Sequence, residues 1–152
     1  MQTDGSEVEI MLIAIIGENC VGKSTLAEKI NGELHAAIYS GKDYLRMEKS
    51  PTTALETFKG LLAESVTGSN IIYVITEKEH LSLLPEGCFK IVLTAPLEVI
   101  KERFRQRMRG TLPPPVEKML EDKHGMYDDI PCDMRLDASY SIEEVITKIK
   151  KH

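Results

Sequence analysis

The residues Gly17-Glu18-Asn19-Cys20-Val21-Gly22-Lys23-Ser24 match the pattern G-x-x-x-x-G-K-[ST] in full. Each fixed position has a chemical reason. Glycine at 17 and 22 lets backbone N–H groups, with those of Asn19, Cys20 and Val21 between them, turn inward on phosphate oxygens. A helix starting at Lys23 adds the positive end of its dipole. Lys23 reaches the outer phosphates, Ser24 offers a hydroxyl to Mg²⁺, and Thr25 completes the set beside the ligand. The pattern predicts binding of a nucleoside triphosphate. Cys20 is read as a small residue that the loop tolerates rather than a nucleophile, although a helix N-terminus favours thiol oxidation.

Other charged groups stand at informative spacings. Arg103 and Arg107, in Arg103-Phe104-Arg105-Gln106-Arg107-Met108-Arg109-Gly110, lie one helical turn apart on one face. Arginine forks so placed stabilise the charge that spreads over a transferring phosphoryl group; the same spacing also describes a solvated basic face. Glu77 follows an apolar run and is either a carboxylate for Mg²⁺ or its water shell, or a solvated loop residue. The segment His124-Gly125-Met126-Tyr127-Asp128-Asp129 mixes a histidine with acids. It reads as a turn, because metal ligation needs more than one histidine.

The elements that must position these groups follow from hydrophobic patterning. Ile10 to Ile16 is unbroken apolar sequence, the signature of a strand buried on both faces of a parallel sheet. A helix over 23–31 follows, with Asn31-Gly32 as its stop. Ala36 to Tyr39 is a second strand, then a polar turn 40–43 and a helical turn 44–47. Ser50-Pro51 opens a helix ending near Gly68. Ile71 to Ile75 and Phe89 to Leu93 are strands three and four, and Pro96 opens a helix to about Met108. Residues 111–115 read as a loop because three prolines block a helix. A short helix over 116–124, a fifth strand over 134–138 and a capping box at Ser141 that opens the last helix to Lys150 complete the chain. Strands alternating with helices imply a five-stranded parallel sheet covered on both faces, a three-layer α/β sandwich with ligands at the carboxyl ends of the strands.

Composition narrows the function classes. A chain of 152 residues is one domain, at about 150 residues per domain. Nineteen basic against 24 acidic residues leave a charge of −5, which repels a nucleic-acid backbone. The run 10–16 falls far short of the roughly 20 apolar residues that span a bilayer, and acidic residues precede it, so neither a membrane span nor a signal peptide is expected. Cys20, Cys88 and Cys132 are odd in number and widely spaced, which suggests neither a disulfide framework nor a zinc site. The expectation is a cytoplasmic protein, monomeric or homodimeric. No Asn-Lys-x-Asp sequence marks a guanine-specific switch, and the third strand does not end in the Asp-Glu of motor ATPases.

What remains resembles the small P-loop kinases of the nucleoside monophosphate kinase and shikimate kinase type. Besides the phosphate loop, Ser40-Gly41-Lys42-Asp43-Tyr44-Leu45-Arg46 is similar to the acceptor segment of adenylate kinases, with one extra residue between Gly and Asp. Arg103 and Arg107 are similar to the Arg-x-x-x-Arg pair that begins the mobile lid. The resemblance implies a P-loop fold of strand order 2-3-1-4-5, an acceptor-binding segment over about 41–68 and a short lid over about 107–116. It further implies ATP with Mg²⁺ as donor, Asp43 and Arg46 at a small-molecule acceptor, and catalytic roles for Lys23, Asp43, Arg103 and Arg107. Leu136-Asp137-Ala138-Ser139 is similar to the ending of cytidylate kinases, which places Ser139 beside the donor base; a well-capped surface helix leaves the same trace. The arginine-bearing segment that adenylate kinases carry after strand three is replaced here by Thr76-Glu77-Lys78-Glu79-His80. The expected activity, taken from the resemblance as a whole, is transfer of a γ-phosphoryl group to a nucleotide or nucleoside. Shikimate- or sugar-type hydroxyl compounds, and a regulatory nucleotide-binding protein without transfer, are the alternatives.

Overall fold

The computed structural model describes residues 11–66 and 70–151. The expected tail over 1–9, the strand start at Ile10 and the helix end near Gly68 lie outside the described residues. Strands Leu12–Ile16 (β1), Ala37–Ser40 (β2), Ile71–Ile75 (β3), Phe89–Leu93 (β4) and Met134–Leu136 (β5) form one parallel sheet in the order β2-β3-β1-β4-β5. This is the expected order. β1 is central because all five of its side chains are apolar and buried, and only a strand covered on both faces can bury both alternating sets.

The two sets meet different layers. Ile13 and Ile15 pack toward Leu26 and Ile30 of the helix Lys23–Leu34 (α1) and toward Val145 and Ile149 of Ile142–Lys150. Leu12, Ala14 and Ile16 pack toward Phe58 and Leu62 of Pro51–Ser65 (α2) and toward Leu83, which ends a 3-10 segment. The remaining helices are Leu97–Arg107 (α3) and Pro114–Lys123 (α4), which makes Ile142–Lys150 α5. Asn70 joins neighbouring elements, accepting from Met11 N at 3.0 Å and donating to Leu34 O at 2.9 Å.

β2 and the 3-10 turn after it, Ala37–Ser40 and Asp43–Arg46, are each one residue off the sequence expectation, and three boundaries differ by more, each for a local reason. α1 runs past Asn31-Gly32 to Leu34, because Leu34 is buried and left-handed His35 takes over the C-cap, donating to Asn31 O. α4 begins at Pro114 inside the stretch expected to be a loop. Pro114 and Pro115 fall in the first turn, where backbone N–H groups have no helical partner to lose. The irregular stretch between α3 and α4 is therefore 108–113, shorter than the lid expected over 107–116. β5 stops at Leu136 because the Asp137 carboxylate accepts from both the backbone N–H and the hydroxyl of Ser139, turning the chain. The caps hold as expected: Ser50 Oγ accepts from Thr53 N and Ser141 Oγ from Glu144 N.

Candidate functional site

The loop over 17–22, whose sequence predicts phosphate binding, joins the carboxyl end of β1 to α1, and its shape is set by close packing. Gly17 donates to Ile75 O at 3.1 Å, and a Cβ at this position would lie 2.7 Å from both Leu93 O and Val21 Cγ2. Here glycine is required for space. Gly22 is required for its backbone, with φ +101°, and Cys20 shares the left-handed region at φ +64°. Two such bends within three residues turn successive N–H groups to one side, the concave arrangement that holds anions.

Lys23 is 7% exposed and donates from Nζ to Glu18 O at 2.6 Å. Burial lowers its pKa to about 8; Arg107 adds to the depression, while Cys20, Glu18 and Glu77 oppose it. A buried ammonium whose one hydrogen-bond partner is a carbonyl is poised for a stronger anion. Ser24 and Thr25, next along α1, are exposed toward the same cavity.

Ties from distant segments hold the loop, and the sequence reading missed them. Arg103 Nη1 donates to Cys20 O at 2.9 Å, across 83 residues. The Glu18 carboxylate accepts from Gly125 N at 3.0 Å and lies 3.0 Å from His124 Nδ1. The same turn is fastened to the end of β3, where Tyr127 donates to Thr76 O at 2.6 Å and Lys123 Nζ lies 3.7 Å from the Glu77 carboxylate. His124 thus belongs to a structural tie, in keeping with its reading as part of a turn. No spacing in the sequence signals contacts across this many residues.

Two adjoining cavities of about 310 and 330 Å³ share Cys20, Gly22, Thr25 and Arg107. The first extends past Lys23 to Ser40, Gly41, Val74 and Thr76. The second extends to Arg103, Ala138 and Tyr140, with Lys29 Nζ 5.1 Å from the centre of the Tyr140 ring. The arrangement is a groove with a phosphate cradle at its middle, a polar end at β2 and β3, and an aromatic end near α5. A larger groove of about 490 Å³ between α1 and α5 is mainly apolar and lies away from the loop.

Of the residues singled out in the sequence, Arg103 lines the second cavity, Glu77 lies outside both and is paired with Lys123, and the others fall into three groups. Gly17, Asn19, Cys20, Val21, Gly22, Lys23, Ser24, Thr25 and Arg107 are brought together at the cradle. Asp43 and Arg46 are brought to each other, Arg46 Nη2 lying 2.9 Å from Asp43 Oδ1 while Asp43 Oδ2 accepts from Ser40 N. They stand just beyond the Ser40-Gly41 wall of the cavity, and Arg46 is largely exposed. Ser139 lies on a further hollow with Glu18 and His124 and is bonded to Asp137, whose carboxyl it holds below its ordinary pKa. Ser40, Gly41 and Thr76, not named as site residues from the sequence, form the wall opposite Lys23.

Among the described residues no cluster of three or more metal-type side chains exists. The Ser24 hydroxyl and the Glu77 carboxylate are hard oxygen donors, which suits an Mg²⁺ that keeps phosphate and water ligands rather than one caged by protein. Among the described residues no helix is long and apolar enough to cross a membrane.

No family model matches the chain, and no curated protein matches it in sequence. Solved structures share its fold. A shikimate kinase from Acinetobacter baumannii in complex with shikimate superposes with a TM-score of 0.61 at 16% identity, covering 96% of this chain and 94% of that one. A tunicamycin resistance protein of Deinococcus radiodurans gives 0.62 at 19%, covering 93% and 94%. A gluconokinase from Sinorhizobium meliloti gives 0.59 at 12%, covering 93% and 90%. At these identities the likeness is one of fold: the chain has the architecture of the small P-loop kinases.

Proposed function

We propose that the chain is an ATP- and Mg²⁺-dependent kinase that phosphorylates a hydroxyl group of a small, anionic acceptor. The observation that carries this reading is the groove itself, in which a buried Lys23 and a left-handed phosphate cradle open directly onto a small polar chamber walled by Ser40, Gly41 and Thr76. A chamber of about 310 Å³ that also includes the phosphate cradle favours a compact acceptor over a nucleoside monophosphate. The fold-level likeness to a shikimate kinase and a gluconokinase supports the same choice.

In this reading the triphosphate lies along the N–H groups of residues 17–24, and Lys23 exchanges the Glu18 carbonyl for phosphate oxygens. Arg107, at the open side of the cradle, meets the charge on the transferring group, while Arg103 stays bonded to the Cys20 carbonyl beside it. Ser24 and Glu77 would be the residues to hold Mg²⁺, which would neutralise charge on the outer phosphates. Asp43 orients the acceptor hydroxyl and takes its proton, and Arg46 receives the acceptor's anionic group. The acceptor oxygen forms the new P–O bond as the bond to the β-phosphate oxygen breaks, so no covalent enzyme intermediate is needed.

The test is ADP release from Mg·ATP across sugar acids, shikimate, sugars, nucleosides and nucleoside monophosphates, with Lys23→Met as control. Stimulation by a hydroxy acid that is lost in Lys23→Met and reduced in both Asp43→Asn and Arg46→Ala is expected. Stimulation by nucleoside monophosphates alone would overturn the acceptor assignment. ATP binding with no stimulation by any acceptor would move the chain to a regulatory role.

A further inference from the structure

Arg103 and Arg107 share a helix face, yet the structure gives them different surroundings. Arg107 is exposed at the cradle, lines both cavities and makes no hydrogen bond or ion pair among the described residues. Arg103 is half-buried and spends Nη1 on the backbone carbonyl of Cys20 at 2.9 Å.

That carbonyl belongs to an unusual residue. Cys20 is 5% exposed and is the non-glycine member of the two left-handed positions that bend the loop, with φ +64°. A side chain with Cβ occupies this region only when its surroundings hold it there. The peptide linking Cys20 to Val21 is planar and trans, so its C=O and N–H point in opposite directions. Anchoring the Cys20 oxygen on Arg103 therefore fixes where the Val21 N–H points. Val21 is 3% exposed and Gly22, the next left-handed residue, opens α1. A change in this one peptide would be passed into both the cradle and the start of the helix.

We propose that Arg103 is a positioning residue for the phosphate cradle: it holds Cys20 in the left-handed conformation, and through the Cys20–Val21 peptide it presets the N–H groups that receive the donor's phosphates. The proposal rests on the nucleotide-binding reading of this loop and assigns a separate task to each arginine. Arg107 acts by its own charge on the phosphates, whereas Arg103 acts through the backbone of a residue 83 positions earlier in the chain.

The proposal is tested by calorimetric binding of two probes, ATP and inorganic tripolyphosphate, which has the same phosphate run and no base. Arg103→Met is expected to weaken both probes by the same factor, about tenfold for the loss of one charge-assisted hydrogen bond. Glycine adopts φ +64° without a Cβ penalty, so Cys20→Gly added to Arg103→Met is expected to recover at least threefold of the tripolyphosphate affinity. The same Cys20→Gly change added to Arg107→Met is expected to recover nothing, because there the loss is one of charge. Arg103→Lys, which retains charge with a shorter reach, carries the same comparison should Arg103→Met fail to fold. Loss of ATP affinity with tripolyphosphate unchanged would overturn the proposal in favour of a contact to the base. Equal loss without recovery by Cys20→Gly would overturn it in favour of charge alone. A wild-type chain that binds neither probe overturns the nucleotide reading together with this one; a wild-type chain that binds both, with Arg103→Met unaffected, overturns this one alone.

Discussion

Lys23 gives the sharpest quantitative prediction, because its proton is coupled to the ligand. Burial lowers its pKa from 10.5 to about 8, and the gap between the two values corresponds to about 3 kcal/mol by which the folded chain disfavours the charged form. Because the folded value is the lower one, the unfolded chain binds more protons between pH 8 and 10.5. Stability of the ligand-free protein should therefore rise with pH across that window, from a level already reduced below pH 8. A triphosphate reverses this. Its outer phosphate ionises near pH 6, so above pH 7 it brings full negative charge against Nζ and restores the protonated lysine. About a tenth of the free protein lacks this proton at pH 7, about half at pH 8 and about nine-tenths at pH 9. Binding should accordingly take up about 0.1, 0.5 and 0.9 protons, and affinity should fall by nearly tenfold per pH step well above 8. Calorimetry in pairs of buffers with different ionisation enthalpies reads the uptake directly. Lys23→Arg keeps the charge and cannot lose its proton in this range, so its uptake should be close to zero throughout. Arg107→Met removes a neighbouring positive charge and should move the profile to higher pH. Uptake that is flat from pH 7 to 9, or that persists unchanged in Lys23→Arg, would refute the reasoning.

Further outcomes follow from single contacts. Gly17→Ala places a Cβ 2.7 Å from Leu93 O, and since a backbone oxygen of β4 does not yield as a side chain does, the loop itself must move. Triphosphate affinity should drop at least tenfold, by about 1.4 kcal/mol or more, while far-ultraviolet circular dichroism still reports the fold. Tyr73→Phe removes the 2.7 Å bond to Gly41 O, whose donor phenol is held above its ordinary pKa by burial. It should cost about 1 kcal/mol, read as a lower Tm, and should raise KM for the acceptor by loosening the wall at Gly41. Burial pushes the Cys88 thiol up to about 12, so at pH 8 an alkylating reagent should modify partly exposed Cys132 first and reach Cys88 only after denaturation. His80 is 4% exposed between the rings of Tyr44 and Tyr73, and neither ring nitrogen has a hydrogen-bond partner. His80→Phe should therefore leave Tm unchanged or raise it.

Much of this molecule was legible in its amino acids. β1 is an unbroken apolar run because it is buried on both faces, and β3 and β4 have the bounds their composition predicts. The Ser50 and Ser141 caps, the strand order expected from the family resemblance and the glycine-lysine loop were likewise readable, since each depends on residues within a few positions of one another or on one recognised motif. Where the reading erred, a local rule gave way to its own exception or to burial. Prolines that forbid a helix interior fit a first turn at 114 and 115, and α1 ran past its stop to bury Leu34.

The amino acids by themselves determined that a glycine-lysine loop follows a central strand, and which side chains that loop carries. Only the tertiary structure decided what holds that loop in shape: Arg103 on the Cys20 carbonyl, and the Glu18 carboxylate against His124 and Gly125. It also decided that Arg107 faces the cradle while Arg103 does not share its freedom. The physical reason is range. Periodicity, capping and loop motifs act through neighbours along the chain, whereas a hydrogen bond across 83 or 106 residues exists only once the sheet has brought β1 and β4 together and set α3 and the 124–127 turn around the loop between them.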